Sequence, residues 1–314
     1  MSLTIVGLGV HGTILGMALK SALHGLVIVG HDLDPQRVAA AKKLGAIDKS
    51  HWNLPAACDQ ADIVVLDLPH DEIEPTLQVL ADTLAEDSLV LDIAMVKRAT
   101  LADAARILPA TLQYIGGRIV PLSAEFDSAV PSAGLLKDAA FYLVAPPAAN
   151  ERGMKLAAGL AEVVGARPCF IAADELDSLT AAGGQLPLVA AWALMSAWQH
   201  TDGWRDRCRV LGTESRWVQH LISSAPGGQV AALWDNRDFV GDWLDRYITT
   251  LQTWRRLLNE QDDTRLSAAF AEVQAGAEAA ARADDGTRMP DSSELTGFRQ
   301  MILGSLGQRL KGKR

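Results

Sequence analysis

Cysteines are few in this chain of 314 residues, and none is placed to bind a metal or to build a disulfide framework. Cys58, Cys169 and Cys208 lie far apart, and no Cys-x-x-Cys pair occurs. The sequence therefore excludes a disulfide-stapled fold and a zinc ribbon, and it predicts no metal site. Reduced thiols are typical of the cytoplasm, which is the location we expect. The first strand starts at Leu3, so we expect no signal peptide.

Positive charge is also scarce, because 29 Lys and Arg side chains face 38 Asp and Glu, for a net charge of −9. An acidic surface argues against a nucleic-acid binder, since phosphate binding needs a basic face. Hydrophobic residues make up 49% and charged residues 21%, which excludes global disorder and is typical of a soluble globular protein. The length suits two domains.

One uncharged run, residues 179–198, is long enough to span a bilayer. It contains Gly183, Gly184, Gln185 and Pro187, and neither a second span nor a basic flank accompanies it. We therefore expect a helix buried inside a helical domain, and no contact with a membrane.

The first half of the chain alternates predicted strands and helices. Four apolar, β-branched runs predict buried strands at 3–9, 26–32, 62–69 and 89–94, and weaker strand signals follow at 113–115, 141–145 and 167–171. Helices are predicted between them, one of them started by Asp34 as N-cap and Pro35 at its first position. Such alternation is typical of an α/β fold with a doubly wound parallel sheet.

After residue 174 only helical patterns remain, at about 174–200, 214–224, 229–260 and 264–283. Seven of the eight tryptophans fall in this part, and we interpret them as core and subunit-interface residues rather than as a ligand cage. We therefore predict an α/β domain over residues 1–172, followed by an all-helical domain over residues 173–314.

A glycine-rich loop joins the first strand to the first helix. In GLGVHG, Gly7 permits a tight turn, Gly9 lets the backbone approach a pyrophosphate, and Gly12 lets helix and strand pack closely. The N-terminus of the helix predicted over Thr13 to Leu23 supplies N–H donors and positive potential, and Val10 and His11 in the loop before it are placed to contact the cofactor. These residues predict a dinucleotide site.

Carboxylates at the ends of the second and third strands complete the predicted cofactor site. Asp32 can accept hydrogen bonds from both adenine-ribose hydroxyls and would repel a 2′-phosphate, which favours NAD over NADP. Asp67 and Pro69 lie where the cofactor crosses the sheet. Two roles remain open for Asp67, contact with the ribose or the pyrophosphate water and capping of the next turn.

Several segments, in the same order, resemble the prephenate/arogenate dehydrogenase family of tyrosine biosynthesis. They are GLGVHGTILGMAL, LVLDIAMVK, YIGGRIVPLSAE, DELDSLTAAGGQLPLVAAWAL and GWRDRCRVLG. The resemblance implies a Rossmann domain and a helical substrate and dimerisation domain, so we expect a homodimer. It also implies a small anionic substrate, and an oxidation in which hydride leaves the ring carbon that bears the 4-hydroxyl. A histidine held by a serine takes the hydroxyl proton, carbon dioxide is lost, and the ring becomes aromatic.

Three polar positions depart from the family pattern, all on the substrate side. Arg118 stands in place of the family histidine and cannot act as a base near neutral pH. Met95 stands in place of the serine, and Gly184-Gln185 replaces a Ser-His pair. The cofactor half thus matches the family, whereas the proton-transfer half differs from it.

The remaining matches supply candidate site residues. Arg118 could hold an anion or a developing oxyanion or form an interface ion pair, and Lys97 could act as a base if burial lowers its pKa. We consider His200 and, less strongly, His70 as alternative bases. The family pattern retains Glu125 as a further catalytic candidate. The predicted substrate-binding residues are Arg209, Arg205 and Gln185.

Three functions compete. The first is an NAD-dependent dehydrogenase of the prephenate/arogenate type with an altered base. The second is a relative that uses the same fold and cofactor on another anionic substrate, and the third is a non-catalytic NAD-binding dimer. Beyond residue 283 we expect no regulatory amino-acid-binding domain, because only about 30 residues remain.

Overall fold

The computed structural model describes residues 2–120, 131–147, 149–204, 213–223 and 227–284. Its first half is built from alternating strands and helices, as predicted. The strands are β1 Leu3–Val6, β2 Ile28–His31, β3 Lys49–Ser50, β4 Ile63–Leu66, β5 Leu89–Asp92, β6 Gln113–Val120, β7 Ala140–Val144 and β8 Arg167–Phe170. The helices of this half are α1 Val10–Ala22, α2 Pro35–Lys43, α3 Leu54–Cys58, α4 His70–Thr83, α5 Arg98–Ile107 and α6 Glu151–Val163.

The eight strands form one sheet in the order β3-β2-β1-β4-β5-β6-β7-β8. The order reverses between β1 and β4, which opens a crevice at the carboxyl ends of those strands. The predicted parallel, doubly wound sheet is confirmed with one difference, since β7 pairs with β6 antiparallel. A parallel pair needs a long crossover, usually a helix, and within residues 131–139 the structure shows only a 3₁₀ turn, Ala133–Leu136.

Apolar side chains cover both faces of the sheet. All four residues of β1, β4 and β5 are buried, because helices pack on either side of a parallel sheet. One core cluster joins the sheet to α1 and α6, and a second joins it to α3, α4 and α5. As predicted, the Asp34 side chain accepts a hydrogen bond from the N–H of Gln36 and caps α2. These two cores fix the strand ends that surround the crevice.

Beyond β8, the described residues are helical. They form α7 Ala173–Thr180, a π-helical turn Ala181–Gln185, α8 Leu186–Gln199, α9 Thr213–Ser223, α10 Gln229–Asp235, α11 Arg237–Asn259 and α12 Asp263–Asp284. The change from strands to helices falls near residue 172. A division of the chain into domains at that point stays a prediction.

The long apolar run is helical but not buried, which corrects the expectation from the sequence. Residues Ala173–Gln199 form one helix long and apolar enough to cross a membrane, by length and composition alone. Only 28% of its most apolar window is buried within this chain. Leu179 and Leu194 are exposed because one side of the helix faces away from the rest of the chain.

Candidate dinucleotide and substrate site

The glycine loop between β1 and α1 is shaped by backbone crowding. Gly7 has a φ of +90°, and a Cβ there would lie 1.9 Å from the carbonyl oxygen of Asp67. A Cβ on Gly12 would lie 2.4 Å from the carbonyl oxygen of Gly7. Both positions therefore require glycine. Gly9 is the N-cap of α1 and has no side chain to cap the helix, so the N–H groups of the first turn are offered to partners from outside the helix.

Asp32 lies directly after β2, beside this loop. Its Oδ2 accepts from the N–H of Leu8 at 2.8 Å, and its Oδ1 accepts from the N–H of Asp34 at 2.8 Å. Arg37 approaches the same carboxylate at 3.9 Å. The carboxylate is thus held in a fixed orientation at the rim of the crevice.

A groove of about 510 Å³ runs along the carboxyl ends of β1, β2 and β4. Its walls combine apolar side chains, among them Leu33, Trp52 and Val79, with the Asp32 carboxylate. A largely apolar cleft with a few fixed polar groups suits an adenosine. The groove, the glycine loop and Asp32 together fit the dinucleotide that the sequence predicts.

Asp67 adopts an arrangement that neither sequence interpretation describes. Its Oδ2 accepts a hydrogen bond from the N–H of Gly12 at 2.6 Å, so it caps the first turn of α1 rather than the turn that follows Asp67. Burial raises the pKa of this carboxyl; His11 and the Gly12 N–H oppose the shift, and Asp32 adds to it. A carboxylate therefore lies at the helix start where a pyrophosphate would bind.

A smaller cavity of about 130 Å³ adjoins this groove and shares Asp67 and Leu68 with it. It lies where the start of α4, the segment after β5, strand β6 and the start of α10 meet. Its lining residues come from both halves of the chain: His11, Asp67, Leu68, His70, Ile93, Ala94, Met95, Arg118, Ile119, Gly227, Gly228, Gln229 and Ala232. A dinucleotide that fills the groove would direct its nicotinamide end here.

Arg118 contributes the guanidinium of this cavity and links the two halves of the chain. Its Nη1 donates to the carbonyl oxygen of Met95 at 3.1 Å and to Oγ1 of Thr180 at 2.8 Å. A Cβ on Gly184 would lie 3.5 Å from Nη2. Burial lowers the pKa of Arg118, and Asp177 opposes that shift. The three positions that depart from the family pattern, Met95, Arg118 and Gly184, thus meet at one place.

Lys97 lies elsewhere, in a group that we call the closed cluster: Asp92, Lys97, Thr100 and Tyr114. The Lys97 Nζ is 2.6 Å from Oδ2 of Asp92 and 3.1 Å from its carbonyl oxygen. The hydroxyls of Thr100 and Tyr114 donate to the same Oδ2, each at 2.9 Å. Burial lowers the pKa of Lys97, and the Asp92 carboxylate opposes the shift. Lys97 lines neither the groove nor the cavity, so its ammonium stabilises the fold around Asp92.

The Gly116-Gly117 pair of the family segment has a packing explanation. A Cβ on Gly116 would lie 2.8 Å from Cδ of Lys97, and a Cβ on Gly117 would lie 2.8 Å from Cε2 of Phe141. Strand β6 can carry Arg118 into the cavity only because these two positions leave room for their neighbours.

Gln185 lies behind the cavity wall rather than in it. The side chain is fully buried, its Nε2 donates to the carbonyl oxygen of Ala232 at 3.0 Å, and its Oε1 accepts from Nδ2 of Asn236 at 2.6 Å. His200 is exposed at the end of α8, where its Nδ1 is 2.7 Å from the carbonyl oxygen of Ser196. Neither residue lines the cavity. Glu125, Arg205 and Arg209 lie outside the described residues.

A partly buried ionic junction ties α5 to the helical half, and no sequence motif indicated it. Asp177 on α7 accepts from the N–H groups of Lys97 at 2.7 Å and Arg98 at 2.9 Å, which caps α5. The Arg98 guanidinium forms a two-pronged pair with Asp238, at 2.6 and 2.7 Å. This pairing lowers the pKa of Asp238 to about 2. The junction holds the two sides of the cavity together.

A second group of polar residues, which we call the open cluster, lines or supports the cavity: His70, Asp235, Gln229 and Arg118. Nε2 of His70 is 2.8 Å from Oδ2 of Asp235. Nδ1 of His70 and Oε1 of Gln229 are buried without a hydrogen-bond partner, the only two such side-chain atoms in the described ranges. Leaving such atoms unpaired costs about 1–3 kcal/mol each, which indicates a place kept for a ligand.

Metal binding finds no support in the residues that the structure describes, since no group of three His, Cys, Asp or Glu side chains there could hold an ion.

Three features together define a dinucleotide-binding protein of the Rossmann class: the glycine loop, the carboxylate after β2 and the crevice at the reversal of strand order. Comparison with known proteins narrows this class.

Residues 15–169 match the family model described as prephenate dehydrogenase, nucleotide-binding domain. The nucleotide-binding half of the chain therefore matches the prephenate dehydrogenase family, which confirms the resemblance seen in the sequence. Prephenate dehydrogenase of Bacillus subtilis is 23% identical over 269 residues, which span 84% of this chain and 72% of that protein. The Lactococcus lactis enzyme of the same name is 27% identical over 238 residues, or 70% of this chain and 64% of that protein.

Solved structures show the same fold. Prephenate dehydrogenase from Aquifex aeolicus, in complex with hydroxyphenyl propionate and NAD+, aligns with a TM-score of 0.79 at 21% identity. The alignment covers 88% of this chain and 98% of that one. Synechocystis arogenate dehydrogenase aligns with a TM-score of 0.68 at 21% identity, over 88% of this chain and 99% of that one. The helical half therefore has counterparts in these structures as well.

Proposed function

We propose that this protein is an NAD-dependent oxidoreductase that oxidises and decarboxylates a cyclohexadienyl acid of the prephenate or arogenate type. The observation that carries the proposal is the junction of the dinucleotide groove with a cavity that contains the Arg118 guanidinium. Family membership and the names of the relatives agree with it. The bound nicotinamide would supply the hydride acceptor.

In this proposal, one group of residues binds the cofactor and another binds the substrate. The glycine loop and the start of α1 would bind the pyrophosphate, and Asp32 would hold the adenine ribose, which favours NAD over NADP. Arg118 would bind a carboxylate of the acid or stabilise the oxyanion that develops as the ring hydroxyl loses its proton. The apolar walls, Ile93 and Ala94 among them, would exclude water from the hydride path.

A second candidate is an oxidoreductase of the same fold that acts on a different anionic substrate. The meeting of Met95, Arg118 and Gly184 favours it, because the substrate side differs from the family pattern at three contacting positions. Shared fold does not fix substrate.

We further propose that a second copy of this chain covers the exposed side of α8, giving a homodimer in the cytoplasm. The helix carries no charged residue from 179 to 198 and is mostly uncovered. Tyr247, Ile248 and Leu251 on α11 are exposed too. Apolar area of this kind is typical of subunit interfaces. Light scattering tests this, since the wild type should be a dimer and Leu194→Glu a monomer.

The decisive experiment mixes purified protein with NAD and either prephenate or arogenate, and follows reduced nicotinamide by absorbance, with NADP in parallel. Turnover with NAD and one of these acids is the expected result. NADH binding is measured separately by fluorescence. Binding without turnover on either acid contradicts the first proposal and directs attention to other anionic substrates or to a non-catalytic role.

A further inference from the structure

A histidine that lines the cavity has an unused acceptor buried beside it. His70 is the first residue of α4, lines the cavity and is buried, yet its Nδ1 has no hydrogen-bond partner. Gln229 lines the same cavity and has an unpartnered Oε1. Buried polar atoms are normally paired, so two unpaired atoms on residues that line one cavity point to a polar ligand beside them.

The other ring nitrogen of His70 is bound by a carboxylate from the helical half. Nε2 lies 2.8 Å from Oδ2 of Asp235, the last residue of α10. A carboxylate only accepts, so in the neutral ring Nε2 carries the hydrogen and donates it, and Nδ1 is left with its lone pair. A histidine oriented by a carboxylate on its far side is a common arrangement for a general base.

Close packing holds the backbone of His70 from the other side. Gly228 has a φ of +73°, and a Cβ there would lie 2.4 Å from the backbone nitrogen of His70. The turn before α10 therefore presses against the first turn of α4. Because the turn and Asp235 flank the same short helix, α10 positions both the backbone and the ring of His70.

We propose that His70 is the general base of the reaction and that Asp235 is its positioning residue, an inference that rests on the proposed function. Nδ1 takes the proton of the ring hydroxyl while the C–H electron pair of the same carbon leaves as hydride to the nicotinamide. The ring carboxylate then departs as carbon dioxide, and its bonding electrons complete the aromatic ring. The proton on Nδ1 returns to the phenolate oxygen, so atoms and charge balance.

Other candidates for the base lack this combination. Lys97 is enclosed by the closed cluster and does not line the cavity. His200 is exposed at the end of α8, and Arg118 cannot take a proton near neutral pH. His11 also borders the cavity, but it belongs to the phosphate-binding turn of α1, so its replacement should weaken NADH binding.

The kinetic test compares His70→Gln with His24→Gln, a change at an exposed histidine. His70→Gln should lower kcat by about 10²–10⁴-fold, the usual effect of losing a positioned base, and should leave NADH affinity unchanged. His24→Gln should match the wild type. A His70→Gln enzyme with wild-type kcat, or loss of kcat in His200→Gln instead, overturns the proposal.

A second variant, Asp235→Asn, tests the positioning role without removing the ring. An amide can donate where a carboxylate only accepts, which favours the tautomer with its hydrogen on Nδ1. We expect kcat to fall at least tenfold with little change in KM, because the base is misprotonated rather than missing. Unchanged kcat in Asp235→Asn contradicts the role of Asp235.

Nitrogen-15 NMR of the histidines provides a readout that does not need turnover. In the full-length protein with NADH, His70 should carry its hydrogen on Nε2, and hydroxyphenyl propionate should shift the Nδ1 resonance by donating its phenol proton. Asp235→Asn should reverse the tautomer. A protonated Nδ1, or no response to the phenol, overturns the proposal. If these signals hold while prephenate and arogenate are not oxidised, the substrate is wrong and the base assignment stands.

Discussion

The closed and open clusters contain similar side chains but differ in how their polar atoms are paired. In the closed cluster, Asp92 and Lys97 are completely buried and each side-chain polar atom has a hydrogen-bond partner. In the open cluster, His70 and Gln229 line a cavity, and each has one buried side-chain atom without a partner. Burial with every partner present stabilises a fold, whereas burial with a partner missing indicates a binding site. The difference separates two roles that residue type alone does not distinguish.

We expect the largest effect from a variant that disrupts the closed cluster. Lys97→Met leaves the Asp92 carboxylate buried without its cation, which should lower the free energy of unfolding by about 3–5 kcal/mol. Urea unfolding followed by circular dichroism measures this. The matched control is the double variant Asp92→Asn with Lys97→Met, which removes both charges and should recover most of the loss. A Lys97→Met protein of normal stability that has lost turnover would instead assign Lys97 to catalysis.

An intermediate effect should follow from a change in the open cluster. Among the described lining residues, Arg118 alone has a permanent positive charge. Arg118→Met should lower kcat/KM by about 10²–10³-fold, as expected when a donor to a developing anion is lost, while NADH still binds. Steady-state kinetics measures kcat/KM, and fluorescence titration measures NADH binding. Arg118→Lys, which keeps the charge, should recover part of the rate; a fully active Arg118→Met enzyme would place the anion site elsewhere.

The smallest expected effect lies where the groove meets the cavity. Asp67→Asn keeps an acceptor for the Gly12 N–H but removes a negative charge beside the pyrophosphate site, so NADH should bind about fivefold more tightly, or ~1 kcal/mol. Because burial raises the pKa of Asp67, its protonation at falling pH removes the same repulsion. Wild-type NADH affinity should therefore rise as the pH falls, and that of Asp67→Asn should not.

Isothermal titration at several pH values measures both effects. Asp59→Asn, which removes an equal charge from an exposed position, is the control. Equal affinities for the wild type and Asp67→Asn at every pH would show that Asp67 is already uncharged across that range.

Most of the fold could be predicted because its signals are local. The apolar runs of β1, β4 and β5, the Asp34 cap and the glycine loop each follow from neighbouring residues. The antiparallel direction of β7 could not be predicted in the same way, because it depends on the length and path of a connection. The exposure of α8 depends on which other elements pack against the helix, and the sequence of the helix alone does not predict that packing.

The candidate site was harder to predict because its pairs join distant positions. His70 and Asp235 are 165 residues apart, and neither stands in one of the five short segments that carry the family resemblance in the sequence. Lys97 does stand in such a segment, but its burial against Asp92 becomes apparent only when α5 is placed beside β5. Motifs therefore indicated the glycine loop as a cofactor site, whereas the proposed proton-transfer groups become apparent only in the tertiary arrangement.

The contact between Arg118 and Gly184 constrains how this site can be changed. The guanidinium lies in ordinary contact distance of the missing Cβ, at 3.5 Å, so a larger side chain at 184 would compete with it for volume. A serine at 184, as in the family pattern, would add its hydroxyl beside the guanidinium and crowd that end of Arg118. Histidine is shorter than arginine, so histidine at 118 alone would leave a void beside Gly184. The two positions therefore depend on each other, and a library that varies them together samples combinations that single replacements miss.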